Sequence, residues 1–151
     1  MTNWQKIFPG GEIEVESEAG MVALGRRFSA TLEAGDVLGL VGDLGAGKTH
    51  FIRGVLEGLG ASDPAASPTF SLVHEHADGR LPAAHFDFYR LKAQDEALGL
   101  GWDEYLGSGK VLLVEWADRF GGALMPAGTH WLVLRHSGKH TRAIAFRPAE
   151  D

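Results

Sequence analysis

Residues 42–49, GDLGAGKT, fit the spacing G-x-x-x-x-G-K-[ST], the pattern of a loop that cradles phosphate. The chemistry needs these residue types. Gly42, Gly45 and Gly47 permit backbone angles closed to other residues. With Asp43, Leu44 and Ala46 between them, successive N–H groups can turn toward phosphate oxygens. Lys48 adds a full positive charge for the outer phosphates, and the Thr49 hydroxyl is a magnesium ligand. The stretch follows an apolar run, DVLGLV (36–41), and precedes a helical stripe formed by Phe51, Ile52, Val55, Leu56 and Leu59. Strand, glycine loop and helix N-terminus is the context in which such a loop holds a nucleotide's phosphates.

A phosphate loop of this kind works with a carboxylate that manages the metal, usually at the end of a buried strand. Two residues compete for that role. Glu115 closes VLLVE behind Val111 and Leu113, which share its strand face, and Asp87 lies in HFDFY with His85 and Tyr89 on its face. The more buried strand favours Glu115, beside Thr49, as the metal partner. Asp87 would then hold a metal-bound water or orient the attacking one. Downstream of the loop helix, Ser67, Pro68 and Thr69 form a polar corner. A hydroxyl there is placed to sense a γ-phosphate, as switch segments do. A plain turn into a strand is the competing account.

The elements that must position these residues alternate along the chain. EIEVE (12–16) has a strand's alternation, and Ser17 caps a helix whose apolar positions are Met21, Leu24, Gly25, Phe28 and Leu32. The helix after the glycine loop closes at Gly60. FSLVHEH (70–76) and AAHFDFY (83–89) read as strands around a turn at Asp78–Gly79. The acidic stretch 94–106 reads as one or two short helices. KVLLVEW (110–116) is a buried strand, and HWLVLRH (130–136) with TRAIAFR (141–147) reads as a closing hairpin. The sum is a single-domain α/β fold, a P-loop NTPase architecture with a mixed, partly parallel sheet, flanking helices and an antiparallel C-terminal hairpin. The domain spans 11–147, with 1–10 as a leader and 148–151 as a tail.

Composition narrows the function classes. A chain of 151 residues, 44% hydrophobic and 23% charged, has room for one ordinary domain and the composition of a globular one. A net charge of −6 argues against generic adhesion to nucleic acid. The absence of cysteine removes disulfides, thiolate zinc sites and cysteine nucleophiles together. MTNWQKIFPG has no signal-peptide core and VLLV is the longest aliphatic run, so the expectation is a cytoplasmic protein with no membrane partner. His74 and His76 fall on one strand face without helical metal-ligand spacing, and read as an exposed strand edge. Arg135, Lys139, Arg142 and Arg147 form an acid-free basic hairpin. Its faces are solvated, or Arg142 approaches the nucleotide.

GDLGAGKT, SPTFSLV, HFDFYRL and LVEWADR, in that order and spacing, resemble the TsaE (YjeE) family of small bacterial P-loop ATPases. The resemblance runs from about residue 17 to the last strand. It implies ATP and Mg2+ as ligands, with Lys48 and Thr49 on the phosphates and metal and Thr69 in the switch segment. Asp87 and Glu115 would be the acidic pair around the metal, and Trp116, Asp118 and Arg119 would border the site. It implies a role in threonylcarbamoyl modification of adenosine in tRNA, next to the anticodon. The partner implied is the TsaB–TsaD pair, with tRNA reached indirectly through it. Two positions depart from the family pattern: His50 follows GKT where a second hydroxyl residue is usual, and Met21 stands where threonine is frequent near the base. Two rival readings stay open, a small-molecule P-loop kinase using Arg90 and Lys92 for its acceptor, and a nucleotide-gated binding module with negligible turnover. Guanine recognition is disfavoured, because Asn3 is the only asparagine available for an Asn-Lys-x-Asp motif.

Overall fold

The parity of each strand's side chains decides where the core lies. In VLGLV, Leu38 and Leu40 point to one face and Val37 to the other; all three are buried. The same alternation in VLLVE sends Val111 and Leu113 one way, Leu112 and Val114 the other. A strand apolar on both faces must be covered on both, as in a parallel sheet wrapped by helices.

The computed structural model describes residues 3–66, 68 and 72–147, and of Asn3 only the backbone. Seven strands form one sheet: β1 (Glu12–Val15), β2 (Val37–Val41), β3 (Val73–His76), β4 (Ala83–Asp87), β5 (Val111–Glu115), β6 (Thr129–His136) and β7 (Arg142–Arg147). Their spatial order is β1-β7-β6-β2-β5-β4-β3. The central strands β6, β2, β5 and β4 run parallel, while β1, β7 and β3 pair antiparallel at the edges. The mixed sheet and the closing β6–β7 hairpin agree with the sequence expectation.

Among the described residues five α-helices flank the sheet: α1 (Asn3–Ile7), α2 (Glu18–Phe28), α3 (Lys48–Leu59), α4 (Asp95–Gly99) and α5 (Trp102–Leu106). Ser17 caps α2 by accepting the Gly20 N–H at 2.9 Å, and Gly60 ends α3 in a left-handed conformation. Helices α2 and α3 lie on the Leu38 face and meet nearly backbone to backbone. A Cβ on Gly54 would lie 2.0 Å from the Val22 carbonyl oxygen, and one on Gly25 would lie 2.2 Å from that of Phe51. This close approach holds α3 against α2 and so helps to fix the loop at the N-terminus of α3. The opposite face is covered by Ala97, Trp102 and Tyr105 packed on Phe86, Phe88 and Val114.

Three local differences from the sequence reading have physical causes. The segment before Glu12 is structured, because Phe8 is buried between Phe28 and Phe146 and Trp4 packs edge-on against Phe146. Strand β4 stops at Asp87, whose carboxylate accepts the Tyr89 N–H at 2.9 Å and turns residues 88–90 into a short 3-10 helix. Tyr89 therefore leaves the strand alternation and does not share Asp87's face by pleat. His76 is buried although β3 is an edge strand, since the loop after α3 covers it near the Ala66 backbone. Among the described residues, no helix is long and apolar enough to cross a membrane.

Candidate functional site

The central strands β2, β4 and β5 all end at the same edge of the sheet, which is where ligands gather in open α/β folds. Residues 42–47 leave β2 there and turn directly into α3. Gly45 and Gly47 adopt φ of 78° and 102°, values that a side chain would strain. Gly42 is confined as well: a Cβ on it would lie 2.4 Å from the Leu134 carbonyl oxygen. The loop is thus pressed against β6 on one side and opens on the other to a cavity of about 650 Å3. That volume is in the range of small-molecule and cofactor pockets.

Lys48 begins α3, and its side chain folds back over the loop. Its Nζ donates to the Gly42 and Asp43 carbonyl oxygens, the latter at 3.0 Å, and stands 4.2 Å from the centre of the Trp116 ring. Burial pushes its pKa down, while Glu115, Asp43, Asp118 and Asp87 pull it up. Four acids around one desolvated ammonium leave the charge balance of this end of the cavity dependent on what else is bound there. Trp116 itself sits at φ 57°, unusual for a residue other than glycine, immediately after β5. That turn swings its ring under Lys48 and against Tyr89, with ring centres 4.8 Å apart.

Thr49 is the next residue of α3, and its hydroxyl donates to Glu115 Oε1 at 2.8 Å. The two residues are far apart in sequence and meet because β5 lies beside β2, with Glu115 in register with Leu40. Asp87 is the register partner of Glu115 on the other side, so both acids stand at the carboxyl ends of adjacent parallel strands. Desolvation raises the Asp87 pKa, and the neighbouring Glu115 charge adds to the rise; the Tyr89 N–H, His85 and Arg90 oppose it. The second oxygen of Glu115, Oε2, lies 2.7 Å from Nε2 of His85, a side chain buried in the sheet face below.

The C-terminal hairpin supports the loop from behind. Arg142 Nε donates to the Gly45 carbonyl at 3.0 Å, and His136 Nε2 lies 3.3 Å from that of Leu44. Leu44, Gly45, Ala46, Gly47, Lys48, Thr49, Asp87, Glu115, Trp116 and Arg142 therefore come together around one cleft, while Gly42 and Asp43 meet it through the carbonyls that bind Lys48. Thr69 and Ser67 lie outside the described residues. Arg119 is set back from the cleft: its guanidinium donates to the Leu91 carbonyl at 3.0 and 2.7 Å, tying the turn after β5 to the end of the β4 segment. The cavity is also lined by Glu16, Ser17, Met21, Lys139 and His140, with Met21 lying against Gly47 of the loop. Apart from Met21, sequence reasoning did not bring these residues to the site, because their approach depends on β1 and β7 pairing at the sheet edge.

The strand–glycine loop–helix unit, with a hydroxyl and a carboxylate converging beside it, places the chain in the class of P-loop proteins. The family profile described as "Threonylcarbamoyl adenosine biosynthesis protein TsaE" matches residues 15–144. The chain belongs to the TsaE family. It is 44% identical over 124 residues to the tRNA threonylcarbamoyladenosine biosynthesis protein TsaE of Bacillus subtilis, a match covering 82% of this chain and 77% of that protein. It is 42% identical over 100 residues to the protein of the same name from a Nostoc species, covering 64% of this chain and 61% of that one. Among solved structures, the crystal structure of Bacillus subtilis YdiB superimposes with a TM-score of 0.77 at 34% identity, over 92% of this chain and 85% of that one.

Proposed function

We propose that the protein binds and hydrolyses ATP with Mg2+, and that this cycle supports threonylcarbamoyl modification of adenosine next to the anticodon of tRNA. The observation that carries the reading is the Thr49–Glu115 pair at 2.8 Å, at the mouth of a glycine loop with φ values only glycine holds easily. Hydroxyl and carboxylate oxygens are the hard donors that suit magnesium. Thr49 and Glu115 would hold the ion, and when bound it neutralises charge on the β- and γ-phosphates. The loop amides and Lys48 bind the phosphates, and Lys48 exchanges its loop carbonyl partners for phosphate oxygens. Asp87, half-buried beside Glu115, orients the water that attacks the γ-phosphorus as the bond to ADP breaks. Arg142, already fixed on the loop through Gly45, is at hand on the cavity wall for the nucleotide.

The partner in this reading is the TsaB–TsaD transferase pair, through which the protein reaches tRNA indirectly. The relatives named above are biosynthesis proteins of this modification, which supports a role in making it. The test is in cells. Depletion of the protein is expected to remove threonylcarbamoyladenosine from tRNA, measured by mass spectrometry of digested nucleosides. The wild-type chain restores it and Lys48→Ala does not. Normal modification in depleted cells contradicts the proposal.

A further inference from the structure

Glu115 is asked to do two things at once, and its two oxygens are divided between them. Oε1 accepts the Thr49 hydroxyl at 2.8 Å, and Oε2 faces Nε2 of His85 at 2.7 Å. Carboxylate and imidazole are both buried, at 6% and 1% exposure, so solvent does not compete for either contact. An ionised carboxylate can only accept, so Nε2 must carry the proton it donates. On the far side of the ring, Nδ1 has no hydrogen-bond partner among the described residues, and His85 lines a second, smaller cavity of about 130 Å3 with Thr49 and Pro64. A buried histidine whose ring nitrogen meets the carboxylate of a buried glutamate does more than fill space.

We infer that His85 is a positioning residue: its Nε2–H holds Glu115 Oε2 so that Oε1 stays directed at Thr49 and the magnesium site. The inference rests on the Mg–ATP reading given above. The backbone sets the geometry. His85 lies two residues before Asp87 in β4, and β4 runs parallel to β5, so the alternation places His85, Asp87 and Glu115 on the face that carries α3. A glutamate has three side-chain torsions, and nothing in strand pairing fixes the outermost. The His85 contact fixes it. Groups that hydrogen-bond a metal's ligands typically contribute about 10–100-fold in metal affinity or activity.

Two amide substitutions separate this from a merely structural role. The side-chain nitrogen of Gln reaches about as far as histidine Nε2, whereas that of Asn stops near Nδ1. His85→Gln is expected to keep the wild-type Mg2+ requirement. His85→Asn is expected to raise, by about 10–100-fold, the Mg2+ concentration that supports ATP-analogue binding in calorimetric titrations. Its metal-free nucleotide affinity stays unchanged. Equal Mg2+ requirements for the two variants overturn the inference. A second readout uses the unaltered protein: nitrogen-15 NMR should find the His85 proton on Nε2, and a ring protonated on Nδ1 alone overturns it without any variant. Wild-type protein that binds nucleotide with no Mg2+ dependence removes the Mg–ATP reading itself, and this inference with it.

Discussion

In the proposed function Lys48 serves the phosphates and Glu115 the metal, and their substitutions should fail in different ways. Lys48→Ala removes a charge-assisted contact to a multiply charged ligand, so ATP affinity should fall by about 10–100-fold. The fold should persist, since the lysine's partners are loop carbonyls and a ring face, and the helix it begins is held by Phe51, Val55 and Leu59 in the core. Glu115→Ala should still bind nucleotide through the loop amides yet lose Mg2+-dependent hydrolysis. Calorimetry and phosphate release on the same two preparations check both halves. Unchanged ATP affinity in Lys48→Ala contradicts the phosphate role. Most of this site was legible in the sequence, because a glycine loop states its chemistry through local spacing. The His85–Glu115 contact was not, although both residues were noted on their strand faces. Alternation assigns a face within one strand, and only the pairing of β4 with β5 tells which faces meet.

At the level of elements, the loop is only as well placed as α3, and α3 is placed by glycines. Gly54→Ala puts a methyl 2.0 Å from the Val22 carbonyl oxygen, a backbone atom that cannot rotate away. Better helix propensity returns up to about 1 kcal/mol, while overpacking costs about 1–3 kcal/mol. The net expectation is a loss of up to about 2 kcal/mol, read as a lower urea midpoint. A midpoint at or above that of the wild type contradicts the close-packed account. The strands were readable because each combines a two-residue period with flanking turn residues. The N-terminal segment was not. WQKIF carries no period long enough to distinguish a packed helix from a tail, and its burial depends on Phe28 and Phe146. Tyr89 escaped the strand pattern for a different reason, since Asp87 caps the backbone turn that follows it.

For the molecule as a whole, the parts that can be assigned are a phosphate cradle, a pair of acids and an aromatic floor under the lysine. Three arginines lie in this region: Arg119 is bound to Leu91, Arg90 faces solvent, and Arg142 on the cavity wall is held by the Gly45 carbonyl. An arginine brought to the γ-phosphate by a partner contributes about 10³–10⁵ in rate in comparable enzymes. Under the proposed ATPase reading, slow hydrolysis alone and faster hydrolysis with a partner are the expected outcome. Leu44 at 69% exposure and Tyr89 at 52% stand at the rim of the cavity, where a partner could cover the nucleotide and the loop together. The most direct measurement is phosphate release from Mg–ATP by the purified protein, with and without TsaB–TsaD. The account predicts a slow basal rate that Lys48→Ala abolishes and that the pair raises by at least about tenfold, with about 10³–10⁵ as the full contribution of a supplied arginine. A rate unchanged by the pair, with no complex formed in any nucleotide state, would contradict it.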